Sequence, residues 1–329
     1  MSPDLYFSFF MFTADLRPGD REYAATVVRH MQELLDRGYA GFDLPVAPIA
    51  TEDFGPELER YRALRGALED AGLGEVGITT NVMATRTFDP SSPYGEQRQA
   101  ALRYLRSRVD ITAALGGSTM AGPVVMPYSV FPTGDFGEPV WSDALQDWAT
   151  PRYAAARPVL QELGEYAEAH DVKVAIEPVD HWETPAPNMV SEVADFLDGV
   201  PSRQVGVCID SAHVLLGSDG PEAYAEAAGR LGADGRIHAV HVSPPDRGAF
   251  RDSWIPYEAF LEPILPHFDG PFLVETFNAV PPFVGGLRLG RRRFWRPGED
   301  EPVPGVPDAY TVAGEALEAV RRQLEKATA

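Results

Sequence analysis

Glu177, Asp210, His241 and Glu275 each close a short apolar run: VKVAIE, VGVCID, IHAVH and PFLVE. A charged group at the end of such a run is costly to desolvate unless something compensates it. One such residue is readily a loop-facing acid that reaches water, but four at the ends of successive runs are not. Three carboxylates gathered in one pocket repel one another and shift toward protonation. A divalent cation removes that repulsion. Oxygen ligands with one imidazole suit Mn2+, Mg2+ or Co2+, and Zn2+ is also compatible. The residues leave a metal-free carboxylate pocket as the alternative. The expectation is one divalent metal ion held by Glu177, Asp210, His241 and Glu275, with Mn2+ the first choice.

Such residues need a frame that brings strand ends together. Strand candidates are Leu5–Phe12, Gly41–Val46, Val76–Val82, Thr119–Val125, Val172–Glu177, Val205–Asp210, His238–Val242 and Phe272–Glu275. Each is followed by helical spacing, as in Val27, Met31, Leu34 and Leu35 after the first, or Leu102, Leu105 and Val109 after the third. Alternating strands and helices imply a parallel sheet, and eight of each imply an α/β fold closed as a (β/α)8 TIM barrel over residues 1–329. The strand ends of a barrel meet at one mouth. Two long loops, Pro127–Thr150 after strand four and Asn278–Pro307 after strand eight, leave that face and are expected to roof it. No Gly-rich dinucleotide fingerprint or phosphate loop follows a strand.

The bulk composition narrows the partners. The chain has 329 residues and a net charge of -21, which repels nucleic acid phosphates and anionic lipid. Its one cysteine, Cys208, lies in an apolar run and excludes an internal disulfide framework. The start, MSPDLYFSFFMF, carries no basic segment ahead of its apolar one, and no stretch approaches a membrane span, so a soluble cytoplasmic protein is expected.

Four segments resemble the D-tagatose/D-allulose 3-epimerases. AIEPVDHWET at Ala175–Thr184 is similar to their Glu-x5-Glu-Thr segment, and CIDSAH at Cys208–His213 to their Asp-x-x-His segment. HVSPPDR at His241–Arg247 is similar to their His-x5-Arg segment, and LVETF at Leu273–Phe277 to their strand-eight glutamate. The tail FVGGLRLGRRRFWR resembles their glycine-bearing, Trp-Arg-ending tail. In this order the segments resemble the xylose-isomerase-like barrel superfamily, also described as sugar phosphate isomerases/epimerases. The resemblance covers roughly residues 5–296 and is strong from Ala175 onward.

That resemblance implies that the four strand-end residues bind the metal. It implies that Glu177 and Glu275 exchange a proton with a substrate carbon from opposite faces. It implies further that Glu183, His213 and Arg247 hold sugar hydroxyls or the carbonyl oxygen. Without it, Glu183 reads as a surface acid, His213 as a cap of a helix beginning near Val214, and Arg247 as an exposed loop cation. His181 departs from the epimerase pattern, where Arg or another residue stands beside the aromatic; with Trp182 it is a candidate pocket residue. Tyr128, Phe131 and Trp141 are candidates to stack on an apolar substrate portion, or to pack in the loop. The cluster Arg288, Arg291, Arg292, Arg293 and Arg296 reads first as a solvated, subunit-facing strip, with a clamp for a phosphate or carboxylate as the alternative. Alternation points His238 away from the ligand face.

The expected function is a divalent-metal-dependent sugar isomerase/epimerase that abstracts a proton next to a metal-bound carbonyl. The alternatives are a metal-dependent lyase on 3-oxo glycosides, of the C-glycoside deglycosidase large-subunit type, and a non-catalytic sugar-binding barrel. The partner is a small sugar or glycoside, with no nucleic acid or membrane. A homo-oligomer is expected, or a hetero-oligomer with a small subunit on the lyase reading.

Overall fold

The computed structural model describes residues 3–12, 21–138, 140, 143–217, 220–248, 250, 253–277 and 294–328. Eight parallel strands form a closed barrel in chain order. They are β1 (Leu5–Ser8), β2 (Gly41–Pro45), β3 (Gly77–Asn81), β4 (Thr119–Gly122), β5 (Lys173–Ile176), β6 (Val205–Asp210), β7 (Ile237–Val242) and β8 (Phe272–Val274). Around them lie α1 (Arg21–Arg37), α2 (Phe54–Asp70), α3 (Gly95–Ala114), α4 (Asp143–Glu168), α5 (Val190–Leu197), α6 (Ser211–Gly217), α7 (Pro221–Ala233), α8 (Tyr257–Leu261) and α9 (Ala309–Ala327). The (β/α)8 TIM barrel expected from the alternation is present. Among the described residues, no helix is long and apolar enough to cross a membrane.

Two separate cores hold the barrel. Outward strand residues such as Phe42, Leu44, Val174, Ile176 and Val240 pack with Val27, Met31, Leu34, Leu102, Leu105, Leu317 and Val320 from the helices. Each fully buried side chain of this size is worth about 1.5–3 kcal/mol of transfer free energy. Inside the barrel, Ala121, Ala175 and Cys208 form a small cluster with Ala239. These small side chains underlie the ends of β5–β7. The opposite wall is filled differently: a Cβ on Gly41 or Gly77 would overlap the ring of Tyr6, so glycine at both positions admits that ring.

Strand bodies match the expected runs, but several end earlier. β1 stops at Ser8, where the Ser8 hydroxyl accepts from Phe10 N and a 3-10 turn takes over through Met11. β4 stops at Gly122, whose Cβ position is filled by the Val82 carbonyl. The strand-four loop, expected to run to Thr150, ends at Asp143 because α4 begins there and continues through Pro151 and Pro158. Of the strand-eight loop, residues 278–293 lie outside the described residues. Its return is pinned: buried His30 on α1 contacts Tyr310 Oη and Glu299 Oε1, both at 2.8 Å, and Arg296 pairs with Glu299 and Asp300.

Candidate active site

The ends of β5–β8 bring Glu177, Asp210, His241 and Glu275 together, all buried, with one ligand atom of each within 4.8 Å of the others. Ladder pairing explains the convergence. Asp210 pairs directly with His241, while Glu177 N donates to Gly122 O and Glu275 N to Val242 O, so both glutamates extend their strands. Alternation below them places Ala175, Cys208 and Ala239 inward, which leaves room for the imidazole. His241 Nδ1 lies 3.1 Å from Glu177 Oε1, 4.0 Å from Asp210 Oδ2 and 3.9 Å from Glu275 Oε1. This nitrogen is buried and makes no regular hydrogen bond. An imidazole nitrogen aimed among three carboxylate oxygens fits a divalent cation.

A second group stands against the first. Residues 180–184 form a tight turn in which Asp180 O accepts from Glu183 N and Thr184 N, and Asn188 Nδ2 braces it by donating to Val179 O and Thr184 O. The turn carries Asp180 and Glu183 to His213, with Asp180 Oδ2 3.2 Å from Nδ1 and Glu183 Oε2 3.8 Å from Nε2. His213 belongs to the first turn of α6, and Asp210 is the cap: its Oδ1 accepts from Ala212 N and His213 N. Asp210 thus spends one oxygen on the helix and turns the other to the site. Arg247, held in the left-handed region at φ 57, donates from Nη1 to Asp210 Oδ2 at 2.7 Å and Glu275 Oε2 at 2.9 Å. Its Nη2 lies 2.6 Å from His213 Nε2, and its guanidinium stands 5.0 Å above the Phe277 ring.

The charges in this cluster are unbalanced. Glu177, Asp180, Glu183, Asp210 and Glu275 face one guanidinium and two imidazoles. Burial raises all the shifted carboxylates, and the neighbours decide the result. His241 and His213 draw Glu177 below its ordinary range against burial. Arg247, His213 and His241 hold Asp210 well below its own. Glu275 is pushed up to about 8, by burial first and by Asp210 and Glu177 in addition. Glu183 is also raised, by burial and then Asp180 and Glu177, despite His213 and Arg247. Burial depresses His241, but Cys208 and Glu177 lift it well above the ordinary histidine range. Protons alone neutralise such a set only partly, which is the condition a divalent ion relieves.

All seven residues singled out from the sequence lie here. Glu183, His213 and Arg247 are neither surface acid, helix cap nor exposed cation: all sit in or beside the cluster, largely buried. His181 and Trp182 are instead exposed, stacked edge to face on each other. His238 points away as expected, with Nε2 3.0 Å from Arg203 O. Cys208 is buried below His241, and burial pushes its thiol up, in keeping with a packing role. Tyr128 does reach the cavity, where its hydroxyl donates to Glu183 Oε1 at 3.1 Å. Trp141, Arg288, Arg291, Arg292 and Arg293 lie outside the described residues, and Arg296 is taken up by Glu299 and Asp300.

Several site residues were missed. Asp180 sits in a turn whose shape no local pattern announces. Asp43, fully buried on β2, accepts from Thr79 Oγ1 at 2.8 Å and leaves Oδ2 unpartnered. Burial pushes it up to about 6. Period-two alternation between Phe42 and Leu44 is the signal that would have found it. Phe10, Asn81, Met83 and Pro123 line the same cavity as Glu177 and Glu275.

Comparison with known proteins agrees with this fold. Residues 31–296 match the model of the xylose isomerase-like TIM barrel. The chain belongs to that family. Among curated relatives, the family member is 24% identical to an L-ribulose 3-epimerase of Methylomonas sp. (strain DH-1) over 222 residues, 67% of this chain and 68% of the relative. Among solved structures, it is similar to a protein of Anabaena variabilis ATCC 29413 provisionally named a sugar phosphate isomerase/epimerase, at 54% identity and a TM-score of 0.95, covering 99% of this chain and 100% of that one. A D-allulose 3-epimerase from Methylomonas sp., solved with D-allulose, shares the fold at 18% identity and a TM-score of 0.74, over 98% and 97% of the two chains.

Proposed function

We propose that this chain is a divalent-metal-dependent sugar isomerase or epimerase that moves a proton on the carbon beside a carbonyl. The observation that carries the reading is His241 Nδ1, buried among oxygens of Glu177, Asp210 and Glu275 at 3.1, 4.0 and 3.9 Å. Family membership supports it, as do relatives named for 3-epimerisation of ketoses. Glu177, Asp210, His241 and Glu275 would hold the ion, with Mn2+ the first choice for this mixed oxygen and nitrogen set. When bound, the ion supplies the positive charge that polarises the carbonyl and stabilises negative charge developing on its oxygen.

The chain's own residues do the rest. Glu177 and Glu275 extend β5 and β8, three strands apart, so their carboxylates approach a carbon at the mouth from different sides. One takes a proton from one face, and the other returns a proton to the opposite face. Arg247, a donor only, holds a substrate oxygen, while Glu183 and His213 hold hydroxyls. Phe10, Met83, Pro123 and Phe277 shape the remainder of the cavity and limit water.

The test is incubation of the Mn2+-loaded protein in deuterated water with a panel of ketoses, including D-allulose, L-ribulose and D-tagatose, and 3-oxo glycosides. Deuterium at a stereocentre of an intact sugar is the expected result. Aglycone release, or no exchange on any substrate with metal bound, contradicts it.

A further inference from the structure

We infer that Ser243 is a positioning residue that keeps Arg247 anchored at the mouth of the barrel when Asp210 and Glu275 share their charge with a metal ion. The anchor keeps the guanidinium aimed at a substrate oxygen. The anchoring follows from the hydrogen bonds of Ser243, and its consequence for the substrate rests on the sugar isomerase reading above.

Ser243 is a fixed point. It follows β7 directly and is fully buried. Its backbone N donates to Ser211 Oγ at 2.9 Å, and its carbonyl accepts from the same hydroxyl at 2.8 Å and from Tyr257 Oη at 3.2 Å. A backbone held through both its N–H and its carbonyl leaves the side chain little freedom. Arg247 Nη1 stands 2.7 Å from Ser243 Oγ, and a guanidinium only donates, so the hydroxyl oxygen accepts. Its single hydrogen is left for Asp210, whose Oδ1 and Oδ2 lie 2.8 and 2.9 Å away. The hydroxyl thus links the two groups with each of its polar functions in use.

Arg247 Nη1 reaches three acceptors, Asp210 Oδ2 at 2.7 Å, Ser243 Oγ at 2.7 Å and Glu275 Oε2 at 2.9 Å. It has two hydrogens for them, so one is shared. Asp210 and Glu275 are two of the four residues that would hold the ion. With a dication on these carboxylates their charge is partly spent, and a guanidinium beside it is repelled. Ser243 Oγ is neutral and is the one acceptor of the three outside the ligand set. Its tie to Asp210 does not need the oxygen that faces the site. Oδ1 already caps α6, accepting from Ala212 N at 2.7 Å and His213 N at 3.1 Å. The path from Asp210 Oδ1 through Ser243 Oγ to Arg247 Nη1 therefore persists when Oδ2 is engaged. Without the hydroxyl, the guanidinium of the metal-loaded protein keeps its stacking over Phe277 at 5.0 Å but loses the acceptor that fixes its rotation. Ser243 controls the aim of Arg247 without touching the sugar.

Guanidinium NMR on the full chain, labelled with 15N-arginine and recorded with and without diamagnetic Mg2+, tests the inference. An Arg247→Lys variant assigns the Arg247 signals. A held guanidinium turns slowly and shows separate Nη resonances, whereas a released one shows a single averaged resonance. Wild type should show separate Arg247 Nη resonances in both conditions. Ser243→Ala should keep them without Mg2+, where both carboxylates still accept, and lose them with Mg2+. Averaged Arg247 signals in the Mg2+-loaded wild type overturn the inference, as do separate signals in Mg2+-loaded Ser243→Ala. If Ser243→Ala does not fold, Ser243→Cys, close in size and a weak acceptor, takes its place with the same expected spectra. On a sugar that exchanges deuterium at saturating Mn2+, Ser243→Ala should raise KM roughly tenfold or more, the worth of one hydrogen bond to a charged group, and lower kcat less. An effect confined to kcat, or one removed by further Mn2+, contradicts the anchoring role. Absence of exchange on every sugar removes the isomerase reading and leaves the Arg247 spectra to decide the anchor.

Discussion

Strands β1–β4 and the segments after them bring Phe10, Asn81, Met83, Pro123 and Tyr128 to the cavity, whereas β5–β8 bring Glu177, Glu183, His213, Glu275 and Phe277. The interior beneath differs in the opposite sense. Under β5–β7 lies a floor of Ala175, Cys208 and Ala239, and across from it buried Asp43 accepts a hydrogen bond from half-buried Thr79. One half of the mouth is charged and held by ion pairs, with Arg247 bound to Asp210 and Glu275. The other half is mostly apolar and held by packing. A barrel can divide its labour this way because each strand end is an independent attachment point on a shared frame. The charged half should govern the chemical step, and the apolar half the fit of the substrate.

The largest effects belong to the charged half. Glu177→Gln and Glu275→Gln keep the shape of the side chain and remove the proton acceptor. Each should lower the deuterium exchange rate by roughly 10²–10⁴-fold, the usual worth of a positioned acid or base. Retention of wild-type exchange in either variant breaks the division between the halves. Arg247→Met should destabilise the metal-free protein by roughly 3–5 kcal/mol, because buried Asp210 and Glu275 lose their cation. Divalent metal should then recover more stability than it adds to wild type, as read by chemical denaturation with and without Mn2+. An equal metal-induced gain in both proteins contradicts shared use of those carboxylates.

Asp43 gives a pH-dependent test away from the charged half. Burial raises it to about 6 from an ordinary value of 3.8, so ionisation opposes folding. Between these values the folded state holds a proton that the unfolded state has lost. Stability from this group is therefore present at low pH and declines as pH rises through 6. Asp43→Asn should stabilise the metal-free protein at pH 7.5 by about 3 kcal/mol, with little gain near pH 4. Denaturation midpoints at the two pH values check this, and an equal change at both contradicts it. The smallest effect is expected from Tyr128→Phe, which removes one hydroxyl bond to Glu183. A KM increase of up to about tenfold with little change in kcat is expected, since such a bond contributes about 1 kcal/mol.

Much of the charged half was legible in the sequence. Glu177, Asp210, His241 and Glu275 stand out because each interrupts an apolar run, and strand order then brings them to one place. Glu183, His213 and Arg247 were readable only through resemblance, since each sits in a loop or first helical turn where local pattern carries no direction. Asp180 was not readable at all: its role depends on the 180–184 turn and on a histidine from the next βα unit. Asp43, on the mostly apolar half, was hidden for another reason. Asp43 looks like one polar residue in a short strand, and its burial follows from barrel closure, which is a property of all eight strands. The α4 start was misread because Pro151 suggests a loop, although the helix carries it.

The most direct test of the central claim is calorimetric titration of metal-stripped protein with Mn2+, in wild type and in Glu275→Gln and His241→Asn variants. The account predicts about one equivalent bound by wild type and binding weakened by at least tenfold in each variant, about 1.4 kcal/mol or more. A wild-type protein that binds no divalent ion, or variants that bind Mn2+ as tightly as wild type, would contradict it.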